Sequence, residues 1–316
     1  MRSVIISMKK LRKKKIIFIM GPTACGKTEL AMILNRSLPV RVISVDSCLI
    51  YKGLDIGTSK PTIDQLRSCP HQLIDIIDPS KYYSVSNFQK DANVEIERSI
   101  LLERIPLLIG GTMLYFRTLL GGLDPSLPNT NPEVRSFLHN LVRRFGIHKT
   151  FFLLKKVHPR LKKMVNFNDS QRMLRAMEVF LISGKNIEEF RTSDRFPYFV
   201  LQIAIFPRDK FRLHRRIEGR FLKMLKNGLE EEVSLLCSRG DLDDSFPSIR
   251  SIGYRQMWLY LCGKIDYDKM VYESIRDTKN FAKKQMTWIK SWKNVKLFDV
   301  GESSKILEKI AYFIDT

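Results

Sequence analysis

Gly21-Pro22-Thr23-Ala24-Cys25-Gly26-Lys27-Thr28 sets two glycines around a loop that closes on Lys-Thr. Each part of this octapeptide suits an anion. Glycine lets the backbone wrap closely enough for its N–H groups to face anionic oxygens. A helix starting at the end of the loop adds the partial positive charge of its N-terminus. Lys27 supplies a mobile full charge, and the Thr28 hydroxyl is suited to hold a magnesium ion. The flanks agree. Ile16 to Met20 is an apolar run that reads as a strand, and Glu29 to Leu34 reads as a helix. Strand, glycine-bounded loop and helix are the required context of a phosphate-binding P-loop. Taken alone, the loop predicts an ATP-like nucleotide or another polyphosphate and leaves open which bond breaks.

Two further strand ends carry polar chemistry. Val40-Arg41-Val42-Ile43-Ser44-Val45 is apolar and β-branched, as a buried strand is, and it ends at Asp46-Ser47. Ligands of a doubly wound parallel sheet sit outside the carboxyl ends of its strands. Asp46 therefore falls beside the P-loop if the two strands are neighbours. An aspartate there could simply cap a turn. Facing phosphates, it has better uses: holding magnesium, or taking a proton from a nucleophile. Pro106 begins a third strand, Leu107-Leu108-Ile109, which ends in Gly110-Gly111-Thr112 at the same edge. No acid follows it. A hydrolytic P-loop motor carries one at such a strand end, to hold magnesium and orient water. The Gly-Gly-Thr sequence disfavours a motor. It is expected to leave room for a large group near the phosphates, with Thr112 as a hydrogen-bonding hydroxyl.

Arg212, Arg216 and Arg220 recur every four residues and lie along one helix face. Like charges at that spacing repel. They suit a strong anion, which Arg can grip with two donors, or equally a solvated basic helix. A second helix, Gln171 to Phe180, has Met173, Leu174, Met177 and Phe180 on its apolar face and Gln171 and Arg175 on a polar one. Periodicity alone makes that polar face solvated. A helix from about Asp266 to Lys290 concentrates Arg276, Lys279, Lys283, Lys284 and Lys290, with Phe281, Trp288 and Trp292 interleaved. Basic plus aromatic suits an RNA surface, although each aromatic taken singly suits a core.

The elements that must hold these groups fit a chain of 316 residues, of which 44% are hydrophobic. That length favours two domains, or one domain with an insertion. The expected fold is α/β: a P-loop-type parallel sheet flanked by helices, with a mostly helical inserted domain. The expected divisions are a basic tail over 1–14, a catalytic core over 15–125 and 195–316, and a helical RNA-binding insertion over 126–194. Lys and Arg number 54 against 33 acids, a formal charge of +21. Such an excess points to a polyanionic partner. No apolar run approaches the ~20 residues that span a bilayer. The five cysteines, Cys25, Cys48, Cys69, Cys237 and Cys262, show no zinc spacing. With no secretory signal, they predict reduced thiols in a cytoplasm.

These motifs together are highly specific. The chain resembles the bacterial tRNA dimethylallyltransferases, also called tRNA isopentenyltransferases. The resemblance rests on Gly21 to Thr28, Ser44-Val45-Asp46-Ser47, Tyr51 to Thr58, Gly110 to Tyr115, Asn168 to Arg172 with Arg175, and Ser248 to Gln256. They occur in family order and span nearly the whole chain. The resemblance implies transfer of a dimethylallyl group from dimethylallyl diphosphate to the N6 amine of the adenosine 3′-adjacent to the anticodon. It implies diphosphate binding by Gly21 to Thr28 and Arg220, and a catalytic set of Lys27, Thr28, Asp46, Thr112 and Arg216. Thr28 would hold Mg2+, and Asp46 would take the amine proton. Contacts with the tRNA anticodon stem-loop would come from Asp46, Ser47, Cys48, Leu49, Thr112 and Arg135. Further contacts would come from Gln171, Arg172, Met173, Leu174 and Arg175, and from Arg250, Ser251, Ile252, Gly253, Tyr254 and Arg255. It also implies a cytoplasmic monomer without the zinc-finger extension of eukaryotic members. Cys25 stands where a serine is expected, a change of small effect. The rivals are a P-loop nucleoside or metabolite kinase, a transferase acting on free AMP or ADP, and a non-catalytic RNA-binding protein. The first has no need of the charge, the second none of the basic C-terminal region, and the third none of Lys27, Thr28 and Asp46.

Overall fold

The computed structural model describes residues 15–122, 126–128, 130–161, 169–190 and 196–316. The expected basic tail, Asn168 and part of the stretch from Gly121 to Pro128 lie outside these residues. The chain begins β1 (Lys15–Met20), α1 (Lys27–Ser37), β2 (Val40–Val45), α2 (Ile63–Ser68), β3 (His71–Gln72), α3 (Val85–Leu101), β4 (Ile105–Gly110), α4 (Met113–Gly121). Three helices follow: α5 (Pro132–Phe145), α6 (Ile147–Val157) and α7 (Ser170–Ser183). It returns through β5 (Phe199–Ile205), α8 (Lys210–Lys226), α9 (Leu229–Ser238), α10 (Tyr254–Leu261), α11 (Tyr267–Lys290), β6 (Lys296–Phe298) and α12 (Ser303–Asp315). It divides into two compact units, Met1–Thr118 with Pro197–Thr316, and Leu119–Phe196.

The first unit is built on a six-stranded sheet in the order β3-β2-β4-β1-β5-β6, with every pairing parallel. This is the expected α/β class. β1 is buried along its whole length, as a central parallel strand covered on both faces must be. Its side chains alternate. Ile17 and Ile19 join Leu30, Leu34, Ile203 and Ile310 in one core. Phe18 lies against Phe116 at 5.1 Å, and Phe88 stacks on Tyr115 at 4.1 Å. Among the described residues no helix is long and apolar enough to cross a membrane.

The strand order decides whether the condition set for Asp46 holds. β1 and β2 are not neighbours, because β4 lies between them. The register compensates. Met20 pairs with Gly110, and Gly110 with Val45. The three strands therefore end level, and Gly21, Gly111 and Asp46 follow in a row across the sheet edge. The close approach of β4 to β2 depends on Gly110, where an added Cβ would stand 2.0 Å from the Val45 carbonyl oxygen. Backbone cannot give way there as a side-chain tip can. Gly110→Ala is expected to destabilise the protein by roughly 3 kcal/mol, at the upper end for overpacking. Denaturant titration checks this, and an unchanged midpoint would refute it.

The second unit packs α5, α6 and α7 around Leu138, Phe151, Leu154, Met173, Met177 and Phe180. Asn131 caps α5 ahead of Pro132, whose fixed φ suits the first turn. The cap of α7 is Asp169, which accepts from the Arg172 N–H. Ser170 is the first helical residue. Glu178 is 1% exposed, and its carboxylate accepts from Arg135, Arg175 and the Asn131 N–H.

Candidate active site

The P-loop leaves β1 through Gly21, whose N–H donates to the Gly110 carbonyl at 3.3 Å. Ala24 and Gly26 take left-handed φ values of 61° and 93°. Such inversions turn successive N–H groups toward one side and form an anion nest. The Lys27 ammonium folds back on the loop, donating to the Gly21 and Pro22 carbonyls at 3.0 and 2.6 Å. Thr28 is half-buried in the first turn of α1. Cys25 turns into the core, at 2% exposure.

The arginine face of α8 meets this loop. The Arg216 guanidinium reaches within 3.6 Å of where a Cβ on Gly26 would stand. Arg212 and Arg216 line a small cavity with Ala24. Arg220 donates to the Thr58 carbonyl at 3.2 Å. Burial lowers its pKa, while Asp46 and Cys25 act to raise it. Arg216 and Arg220 are half-buried and Arg212 is exposed, so the face is only partly solvated. Lys27 and Arg216 thus lie at the loop, and Arg220 is within electrostatic reach of its Cys25 and of Asp46.

At the other end of the row, Asp46 Oδ1 accepts from the Cys48 and Leu49 N–H groups at 2.8 and 3.3 Å. This is the turn-capping role allowed for it, and it occupies one oxygen. Among the described residues Oδ2 takes no hydrogen bond, so it is available as a base. Thr112 stands beside it, its hydroxyl oxygen accepting from the Ser47 N–H at 3.1 Å. Burial, then the charge of Asp46, pushes the Cys48 thiol up to about 11, so it stays protonated and inert. Its sulfur lies 3.2 Å from the Ser251 hydroxyl. Two distant motifs, Asp46 to Leu49 and Arg250 to Arg255, are joined there. Arg250 and Arg255 are exposed, and Ser251 and Ile252 half-buried.

Not every expected RNA contact has a side chain free to make it. Tyr254 is fully buried, its hydroxyl donating to Glu232. Gly253 is buried as the helix cap of α10, at φ 94°. Met173 is fully buried in the second unit's core. On the same helix Gln171 and Arg172 are exposed, Leu174 is half-buried, and Arg135 and Arg175 are committed to Glu178. At Gly110 and Gly111 the space that a side chain would take is occupied. The Val45 carbonyl occupies one side, and Gln285 sits where a Gly111 Cβ would go, 2.5 Å away.

Three supporting residues carried no motif. Gln285 of α11 accepts from the Thr23 N–H and donates to the Gly111 carbonyl, each at 2.8 Å. Glu232 of α9 accepts from the N–H groups of Asp55, Ile56 and Gly57 at 2.9, 2.8 and 3.1 Å. The buried Lys60 ammonium ties Asp55 to Asp75 and donates to the Tyr51 carbonyl at 2.9 Å. Together Glu232 and Lys60 fix the loop from Tyr51 to Lys60, and so the carbonyl that holds Arg220.

Magnesium can be tested against these donors. Among the described residues no three His, Cys, Asp or Glu side chains cluster to hold a metal. Magnesium bound with phosphates needs no such cage, since it keeps waters and takes one or two protein oxygens. The Thr28 hydroxyl, in the first turn of the helix that leaves the loop and half-buried, fits that demand.

Fold and site define a P-loop-type α/β protein. The comparisons with known proteins narrow this. Residues 49–292 match the IPP transferase family, and residues 14–77 match the isopentenyl transferase family. The chain is similar to the tRNA isopentenylpyrophosphate transferase of Bacillus halodurans, at 31% identity over 96% of this chain and 97% of that one, with a TM-score of 0.72. It is similar to the tRNA delta(2)-isopentenylpyrophosphate transferase of Staphylococcus epidermidis, at 29% identity over 96% and 99%, with a TM-score of 0.68. It shares its fold with a eukaryotic dimethylallyltransferase acting on tRNA, at 23% identity over 92% and 75%, with a TM-score of 0.76. This chain belongs to the IPP transferase family.

Proposed function

We propose that the protein transfers a dimethylallyl group from dimethylallyl diphosphate to the N6 amine of the tRNA adenosine 3′-adjacent to the anticodon. The observation that carries this is the level row of strand ends, with an anion nest at one end and a carboxylate at the other. Its family membership supplies the reaction class, and the charge of +21 suits an RNA acceptor.

The amine nitrogen attacks the allylic carbon, the C–O bond to diphosphate breaks, and diphosphate leaves. Ionisation at an allylic carbon loads charge onto the leaving oxygens. Lys27, Arg216, Arg220 and the loop N–H groups would stabilise that charge as it grows. Magnesium, held with the Thr28 hydroxyl, would spread the same charge. An adenine amine is a weak nucleophile, so holding it beside the carbon is a large part of the work. Asp46 Oδ2 takes the proton that the amine loses. Thr112 fixes the Ser47 backbone at the acceptor edge. The base must leave its stack to present the amine, which favours a loop nucleotide. No water needs activating, which accounts for the absence of an acid after β4. We read the protein as a cytoplasmic monomer, in keeping with a tRNA substrate.

The test incubates the protein and magnesium with labelled dimethylallyl diphosphate and either tRNA or AMP. Label is expected in tRNA alone. Label in AMP alone, or phosphate transfer from ATP with no label in tRNA, would overturn the proposal.

A further inference from the structure

We propose that Gln285 is a positioning residue, a strut that fixes the diphosphate loop against the edge that receives the acceptor base. The inference rests on the proposed function for its catalytic consequence. Its structural half stands without it.

The side chain comes from a helix remote in sequence, yet it is 5% exposed and lies between two of the three strand ends. Its amide has one orientation that satisfies both neighbours. Oε1 accepts from the Thr23 N–H, and Nε2 donates to the Gly111 carbonyl. On the donor side, Thr23 is the third residue of the P-loop, so its N–H is committed outside the nest. On the acceptor side, Gly111 precedes Thr112, whose N–H donates to the Val45 carbonyl at 3.2 Å and whose hydroxyl accepts from Ser47. Val45 precedes Asp46. A continuous path of hydrogen bonds therefore runs from the loop that grips the leaving group to the turn that carries the base. Gly111 is part of the device, because a side chain there would displace the amide.

Transfer between two separately bound substrates is sensitive to such a link. A misplacement of about 1 Å can cost roughly 100-fold in rate without touching a reacting group. Gln285 should thus act on the chemical step far more than on either binding step.

Gln285→Met keeps the length and removes both hydrogen bonds. Gln285→Glu keeps the acceptor for Thr23 and removes the donor to Gly111. The test measures single-turnover transfer with enzyme in excess, so that the rate does not depend on the folded fraction. Gln285→Met is expected to slow this step ~10–100-fold. Dissociation constants for inorganic diphosphate and for tRNA should move less than ~3-fold, the mark of a loss confined to the transition state. Gln285→Glu, which sets a carboxylate oxygen against the Gly111 carbonyl, should also be slow. Gly111→Ala should be slow, and the Gly111→Ala/Gln285→Met double variant no slower than the slower single one, because both break one contact. Amide exchange by NMR should show the Thr23 N–H protected in wild type and exposed in Gln285→Met. A single-turnover rate in Gln285→Met equal to wild type, or additive losses in the double variant, would overturn the proposal. Wild type that transfers nothing to tRNA would sink the functional reading instead. The Thr23 exchange and the diphosphate affinity then still decide the strut: unprotected Thr23 in wild type refutes it.

Discussion

Asp46→Asn is expected to lower kcat by ~10²–10⁴, the range for losing a positioned general base, while tRNA binding stays near wild type. Asparagine is the informative replacement. Its amide oxygen can still accept from the Cys48 and Leu49 N–H groups, so the turn that Asp46 caps is kept. What disappears is the oxygen that can take a proton. Alanine removes the cap as well, and would mix loss of the base with loss of the turn beside Thr112. Single-turnover transfer and a tRNA filter-binding curve, measured on the same preparation, separate the two. Weakened tRNA binding with an intact chemical step would show that Asp46 only shapes the turn.

Lys27→Met carries the second large effect. The side chain keeps its length and loses the charge. A preorganised donor at a growing anion is commonly worth ~10²–10³ in rate, and loss of a full charge should match that. The variant should lose kcat and kcat/KM for the prenyl diphosphate together, because the interaction strengthens as the C–O bond breaks. Lys27→Arg should restore little. A planar guanidinium cannot sit as a compact ammonium does within reach of the Gly21 and Pro22 carbonyls. Steady-state kinetics across diphosphate concentration check both. A rise in KM at unchanged kcat would place Lys27 in ground-state binding alone.

The parts of this site that could be seen in the chain were those with local grammar. β1, β2, β4 and β5 are largely apolar runs rich in Ile, Val and Leu and mostly buried, and such runs are visible without neighbours. The P-loop is visible for the same reason, since glycine, lysine and threonine act within eight residues. β3 and β6 have two and three residues and lie at the sheet edges, too short for a period to show. Strand order is not local at all. Only pairing shows that β4 separates β1 from β2, and that level strand ends bring Asp46 into line.

Side-chain roles divide the same way. Spacing put Arg212, Arg216 and Arg220 on one face but could not say what the face meets, and the fold sets it against the loop. Gln285 sits among lysines in a helix that reads as a basic and aromatic RNA surface, and its partner Thr23 is 262 residues away. Glu232 ends a run of three acids, where a surface reading is natural, yet it gathers three N–H groups and a tyrosine hydroxyl. Met173 and Tyr254 lie inside motif segments, and a motif does not say which side chain turns inward; for Met173 the helical period did, for Tyr254 nothing local could.

The fold of Lys27 onto its own loop has a kinetic consequence. Its ammonium has the Gly21 and Pro22 carbonyls within hydrogen-bond reach, so the loop itself competes for it. Capturing a diphosphate exchanges these partners for phosphate oxygens, so part of the attraction is cancelled on arrival. The same exchange runs backwards when the product departs, since the carbonyls are waiting to receive the cation. A cation with partners of its own lets go sooner, and under the proposed reaction the diphosphate product must leave once in every cycle.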